Sequence, residues 1–201
     1  MSRYCIYIDG FNVYYALQES YYKKYKWLNY RKLAETVIGQ NNTIQGIFYF
    51  TSLLRWKPEN VIRHKIYIQA LRLERIETIE GRFLEKKVRC HICGKTYKTH
   101  EEKRTDVNIA LKILCDAIDN LYDKALIISA DSDLAPAISA VHKYTPEKRV
   151  GVMFPIGRNN YDLRQQADFR IKMHQKLLQD CQFPDEIKSG DNIIQRPEEW
   201  L

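Results

Sequence analysis

Tyr4-Cys5-Ile6-Tyr7-Ile8-Asp9-Gly10-Phe11-Asn12 decides the fold: a mostly apolar run ends on a carboxylate and a turn-forming glycine. A second such stretch, Ala125-Leu126-Ile127-Ile128-Ser129-Ala130-Asp131-Ser132-Asp133, lies far downstream. An apolar run of about five residues bounded by turn residues reads as a buried strand. Each strand then delivers a carboxylate at its carboxyl end. In open parallel α/β sheets, ligands sit beyond those ends, where the strand order reverses. If the two strands are neighbours, Asp9, Asp131 and Asp133 converge. Clustered carboxylates repel one another, and a hard divalent cation, Mg²⁺ or Mn²⁺, is the usual remedy. Such a cluster points to chemistry on phosphate.

Outward from these stretches, helical and extended patterns alternate. Helices are expected near residues 12–19, 30–37, 58–73, 105–121, 133–143 and 174–178. Further strands are expected near 44–53, 76–79, 149–154 and 167–171. Ile62, Ile66, Ala70 and Leu73 are read as the inner face of the third helix. Val107, Ala110, Leu111, Leu114, Ile118 and Leu121 are read as the inner face of the fourth. Alternating β and α elements imply a mainly parallel sheet with helices on both faces. Residues 81–100 break the rhythm with a β-hairpin insert around Cys90-His91-Ile92-Cys93. The domain is expected to span 1–180, and the Pro- and charge-containing tail, 181–201, to be poorly ordered.

A chain of 201 residues suits one domain with a full core. No apolar run approaches the ~20 residues that cross a membrane, and no basic-then-apolar leader opens the chain, so a cytoplasmic location is expected. Five cysteines, an odd number, argue against a disulfide framework. Cys5 and Cys115 fall on apolar faces and are expected to be buried. The net charge of +7 favours an anionic partner. Lys23, Lys24 and Lys26 are interleaved with Tyr21, Tyr22, Tyr25 and Trp27, a pattern that suits single-stranded nucleic acid. Cations track phosphates while rings stack on bases. An ordinary solvated surface has the same composition.

Each acid also has a plain structural explanation. Asp9-Gly10 is a common turn pair and Asn12 an ordinary cap residue. Asp106, in the first turn of the fourth helix, complements the helix dipole. Yet it shares a face with Ala110, Ile113 and Ala117, which turns the carboxylate toward the sheet rim, where it needs a partner. A helix cap accounts for one of Asp131 and Asp133, not for both.

Three segments together resemble a known family. Tyr7-Ile8-Asp9-Gly10-Phe11-Asn12-Val13-Tyr14, Glu102-Lys103-Arg104-Thr105-Asp106-Val107-Asn108-Ile109-Ala110 and Ser129-Ala130-Asp131-Ser132-Asp133-Leu134-Ala135-Pro136 are similar to the motifs of the NYN domain. The match is to its LabA-like branch, within the PIN-like nuclease superfamily. Ala167-Asp168-Phe169 resembles its last motif, and the likeness runs over about residues 3–175. It implies a Rossmann-like, PIN-like sheet and an Mg²⁺- or Mn²⁺-dependent ribonuclease acting on RNA, and the interleaved cations and aromatics favour single-stranded RNA. Asp9, Asp106, Asp131 and Asp133 would be the metal ligands. Asn12 would support them, Ser129 would stand behind them, and Asp168 would shape the pocket. Lys103, Arg104 and Arg158 are candidates for gripping flanking phosphates.

The CxxC pair resembles a zinc knuckle. Structural zinc takes four ligands, and with no second CxxC, His100 is the further candidate beside Cys90 and Cys93. A homodimer or a cognate regulatory protein is the protein partner left open. The chief rival function is a non-catalytic RNA-binding or regulatory module of the same fold. A phosphatase of the haloacid dehalogenase type would want a second Asp where Phe11 stands. A nucleotide-binding protein would want a Gly-rich phosphate loop, and none is present.

Overall fold

The computed structural model describes residues 1–19, 21–54, 56–190 and 192–200. β1 (Arg3–Asp9) runs into α1 (Gly10–Ala16), then α2 (Tyr30–Ile38), β2 (Thr43–Thr51), α3 (Pro58–Leu73) and β3 (Glu77–Glu80). The hairpin β4 (Arg82–Arg89) and β5 (Thr96–Lys103) leads into α4 (Thr105–Ile118). Next come β6 (Lys124–Ile128), α5 (Ala135–Tyr144), β7 (Arg149–Phe154), α6 (Tyr161–Gln166), β8 (Phe169–Lys172) and α7 (Gln175–Asp180). A second hairpin, β9 (Glu186–Ser189) and β10 (Asn192–Gln195), precedes a 3₁₀ turn at Glu198–Trp200. Among the described residues no helix is long and apolar enough to cross a membrane.

Six strands form one parallel sheet in the order β3-β2-β1-β6-β7-β8. The chain winds one way from β1 to β3 and the other way from β6 to β8, so the switch point lies between β1 and β6. Successive side chains of β1 feed opposite faces, as a strand buried on both sides requires. Tyr4, Ile6 and Ile8 join the core under α1, α2, α3 and α7. Cys5 and Tyr7 join the core under α4, α5 and α6.

Gly10 fixes how closely α1 starts beside β2. A Cβ there would lie 2.6 Å from the Tyr49 ring and 2.7 Å from the Phe50 carbonyl oxygen. Only glycine allows this approach, and it sets the position of Asp9.

Several expectations are corrected. On α3 the buried residues are Tyr67, Ile68, Ala70 and Leu71, whereas Ile62 and Leu73 face out. On α4 the buried residues include Ile109, Ile113, Asp116 and Ala117, and Val107, Leu111 and Ile118 are exposed, as is Leu121 beyond the helix. Cys115 is exposed too, while Cys5 is buried. Helix α6 carries too few turns for its period to be visible in the sequence. The tail is built into the domain: Trp200 packs on Trp27 and Tyr67, and the Trp27 indole N–H donates to the Pro184 carbonyl at 2.8 Å.

Candidate metal centre

Three carboxylates meet at the switch point. Asp9 ends β1, Asp131 follows β6, and Asp106 opens α4, and their nearest oxygens all lie within 4.8 Å of one another. Asp9 is both a helix cap and a member of the cluster. Its Oδ1 accepts the Asn12 backbone N–H at 3.0 Å, and its Oδ2 accepts the Ser129 hydroxyl at 2.9 Å. The Ser129 oxygen in turn accepts the Asp131 N–H at 3.0 Å. Asn12 Oδ1 accepts the Ala130 N–H at 3.0 Å, which ties the loop after β6 to α1. Ser129 and Asn12 therefore hold the two loops in register, and their oxygens are spent on that. Asp133 donates its N–H to Asp131 Oδ1 at 3.0 Å and stands exposed, outside the set of three.

The electrostatics ask for a cation. Burial, aided by the charges of Asp106 and Asp131, raises Asp9 to about 6 despite its two donors. Burial also raises Asp106 to about 6, with Asp131, Glu102 and Asp133 adding repulsion. Other acids of this protein have basic partners. Arg3 holds Asp123 down at about 2, Lys112 pairs with Asp116 at 2.6 Å, and Asp168 pairs with His142 at 2.7 Å. Among the described residues, Asp9, Asp106 and Asp131 have no salt-bridge partner. Three hard oxygen donors around an otherwise unneutralised gap fit Mg²⁺ or Mn²⁺.

This arrangement carries a pH signature. Folded Asp9 keeps its proton to about pH 6, against an ordinary 3.8. The folded state therefore binds more protons than the unfolded one in that window. Metal-free protein should lose stability as pH rises from about 4 to 6, by up to ~3 kcal/mol from Asp9 alone. Chemical unfolding at pH 4.5 and pH 7.5, without metal, should show this loss in the parent and a smaller one in Asp9→Asn, where Asp106 still titrates from its raised value. Equal slopes would mean that Asp9 is not held as a strained carboxylate.

The pocket around the acids is also lined by Phe11, Asn12, Tyr15, Phe83, Glu102, Thr105, Arg158 and Asn159. Glu102 joins the hairpin base to the sheet: its Oε1 accepts from Ser52 Oγ at 3.0 Å and from the Thr105 N–H at 3.3 Å. A Cβ at Gly81 would strike that same carboxylate at 2.6 Å. Composition alone marks Glu102 as an acid within a basic run; its place three residues before Thr105 was the available signal. Phe11 stacks with Tyr15 and meets Phe83 edge-on at 5.7 Å, making an aromatic wall that only the tertiary structure assembles.

The other candidates separate. Arg158 lies at the pocket. Lys103 is ion-paired with Glu101 at 2.7 Å, and Arg104 is exposed at the start of α4 in a left-handed conformation, φ 84°. Lys26 is buried over the Tyr14 ring at 4.4 Å and bonded to Gln18, with burial pulling its ammonium down to about 8. It does not track phosphates. Tyr25 and Trp27 are core residues, which leaves Tyr21, Lys23 and Lys24 as the exposed part of this segment. Asp168 lies at the opposite edge of the sheet. Its Oδ2 accepts the Val150 N–H at 2.7 Å, at the amino end of β7, so it serves the fold there and is not among the residues lining the pocket around the acids. His100 stacks on Trp56 with ring centroids 3.6 Å apart and forms no ligand group with Cys90 and Cys93.

Residues 3–174 match the NYN domain. The chain belongs to the NYN domain family. A curated relative, 6-hydroxy-3-succinoylpyridine 3-monooxygenase HspA of Pseudomonas putida (strain DSM 28022 / S16), is 31% identical over 97% of this chain and 74% of its own length. A crystal structure of a protein of unknown function from Vibrio parahaemolyticus RIMD 2210633 superposes with a TM-score of 0.63. It is 19% identical and covers 87% of this chain and 94% of that one, which shows a shared fold. NYN domains belong to a nuclease superfamily, and this one carries its acidic cluster at the switch point of the sheet.

Proposed function

We propose that the protein is an Mg²⁺- or Mn²⁺-dependent ribonuclease of the LabA-like branch, acting in the cytoplasm. The observation that carries this is the meeting of Asp9, Asp106 and Asp131, which among the described residues have no salt-bridge partner. These three would hold the metal, with Asp133 beside them. When bound, such a metal polarises the phosphoryl oxygen and makes water a nucleophile at neutral pH. The protein's part is positional. Ser129 and Asn12 fix the carboxylates, the Phe11–Tyr15–Phe83 wall offers faces for bases, and Arg158 offers a phosphate contact. The expected products carry 5′-phosphate and 3′-hydroxyl ends. The test is incubation with single-stranded and structured RNA, with and without Mn²⁺, followed by mapping of the cut ends. RNA binding without cleavage under any divalent metal would establish the non-catalytic alternative.

The RNA path is proposed to leave the acids along β7 and β8. Arg158 and Asn159 line both the acidic pocket and an adjoining cleft that contains Arg164, Arg170, Lys172 and His174. Replacing Arg158 and Arg170 by Ala should weaken RNA binding and lower its log–log salt slope by about 0.7 for each lost phosphate contact. Replacing Lys23 and Lys24 should change the slope less. The opposite ranking would move the path to the segment after α1.

A second function is favoured by the name of the curated relative and by an aromatic pocket behind Asp9. Tyr14, Tyr30, Tyr49, Tyr67 and Trp200 line it, with Lys26 and Arg63 able to meet a carboxylate. Its free space is about 60 Å³, well below the ~150 Å³ of an engineered apolar cavity that takes up benzene. A carboxylated hydroxypyridine would enter only if an aromatic side chain moved. Consumption of 6-hydroxy-3-succinoylpyridine with O₂ and an electron donor, alongside failure to cut RNA, would select this function.

A further inference from the structure

The β4–β5 hairpin is a two-stranded sheet of its own. Its strands pair from Arg82↔Lys103 to Arg89↔Thr96, and most of their side chains are exposed. An isolated two-stranded hairpin is marginal in water and gains from a staple. Its far end is a tight turn. The Cys90 N–H donates to the Lys95 carbonyl at 2.8 Å, and the Gly94 N–H donates to the Cys90 carbonyl at 2.9 Å. Gly94 takes the left-handed conformation, φ 69°, that lets the chain double back. Hydrogen bonding from the Cys93 and Ile92 backbone N–H groups and the Cys93 side chain pulls the Cys90 thiol below its ordinary value. Arg89 closes over it by donating Nε–H to the Gly94 carbonyl at 3.2 Å. The tight turn thus presents both cysteines at the projecting end of the hairpin.

That is half of a zinc site. Zinc bound through thiolates takes four ligands in a tetrahedron. Among the described residues no third His, Cys, Asp or Glu completes a group with Cys90 and Cys93. The turn is accessible: Cys93 is exposed and Ile92 is 98% exposed. A second copy of the chain offers the same pair at the same projecting end, and two-fold symmetry supplies the remaining two sulfurs. Four thiolates on Zn²⁺ leave a net charge of −2, which Arg89 and Lys95 of each chain are placed to offset. We propose that two chains share one zinc ion, held by Cys90 and Cys93 of each, and that the hairpin is a metal-dependent dimerisation arm. This does not depend on the ribonuclease function.

The test uses full-length protein purified under a phosphine reductant without chelator, with both thiols shown free by titration. Zinc is then added, and bound metal and solution mass are measured. The expected result is one zinc for two chains, a doubling of mass on zinc addition, and reversal of both by a zinc chelator. Cys93→Ser should abolish the mass change, and circular dichroism should show it folded because the residue is exposed. No zinc uptake, one zinc per chain, or a mass that zinc leaves unchanged would each overturn the proposal.

Discussion

Asp131→Asn is expected to abolish metal-dependent RNA cleavage, by roughly two to three orders of magnitude, in a protein that stays folded. Asp131 Oδ1 accepts the Asp133 N–H, and an Asn side-chain carbonyl can keep that bond. The Asp131 N–H to Ser129 is a backbone donor and is untouched. What is lost is one negative charge of three that face the gap. Metal coordination is worth several kcal/mol of transition-state stabilisation, and each 1.36 kcal/mol is about tenfold in rate. The metal-free protein should be as stable as the parent or slightly more so, because the charge of Asp131 helps to raise both Asp9 and Asp106. Thermal unfolding with and without Mn²⁺ separates the two effects: the parent should gain stability from the ion and the variant should gain little. Parent-like cleavage by Asp131→Asn would show that the cluster is not the reactive centre.

Trp200→Ala should cost about 3–5 kcal/mol, the range for deleting a large buried aromatic. Trp200 is 7% exposed and lies 5.5 Å from Tyr67 and 6.2 Å from Trp27 between ring centroids. Its removal opens a void beside Trp27, which the chain around it also secures. The Phe183 N–H donates to the Trp27 carbonyl at 2.9 Å, and the Asn29 N–H donates to the Cys181 carbonyl at 2.8 Å. For a domain of this size each kcal/mol moves the midpoint by about 2–4 °C, so a fall of roughly 6–20 °C is expected. A midpoint within about 2 °C of the parent would mean that the tail does not dock in solution. A tail containing Pro, Gly and charge reads as loose because composition averages over the few residues, Phe183 and Trp200 among them, whose burial fixes it.

The same contrast runs through the molecule. The strands at Tyr4–Asp9 and Ala125–Ile128 were legible because a strand buried on both faces is apolar along its whole length, whatever its neighbours. That each ends in carboxylates was equally plain, and from this the α/β class and the acidic cluster follow. Their adjacency was only conditional in the sequence. The parallel pairing of β1 with β6 decides it, and no local pattern records which strands pair.

Helix faces show where periodicity runs out. On α4, Val107, Leu111 and Ile118 keep helical spacing as well as Ile109, Ile113 and Ala117 do. Only the position of the sheet chooses the second set as core. Lys26 among tyrosines looks like a nucleic-acid contact until the fold places Tyr14 beneath it and Trp27 in the core. Asp168 follows a family-like motif, yet it sits beside Val150 at the amino edge of β7, where a carboxylate can only brace the sheet. Sequence determined which residues are chemically able to hold a metal, because that depends on residue type and on strand ends. Tertiary structure decided which of them converge and which cations are left free, because burial and strand order are set by packing across the whole chain.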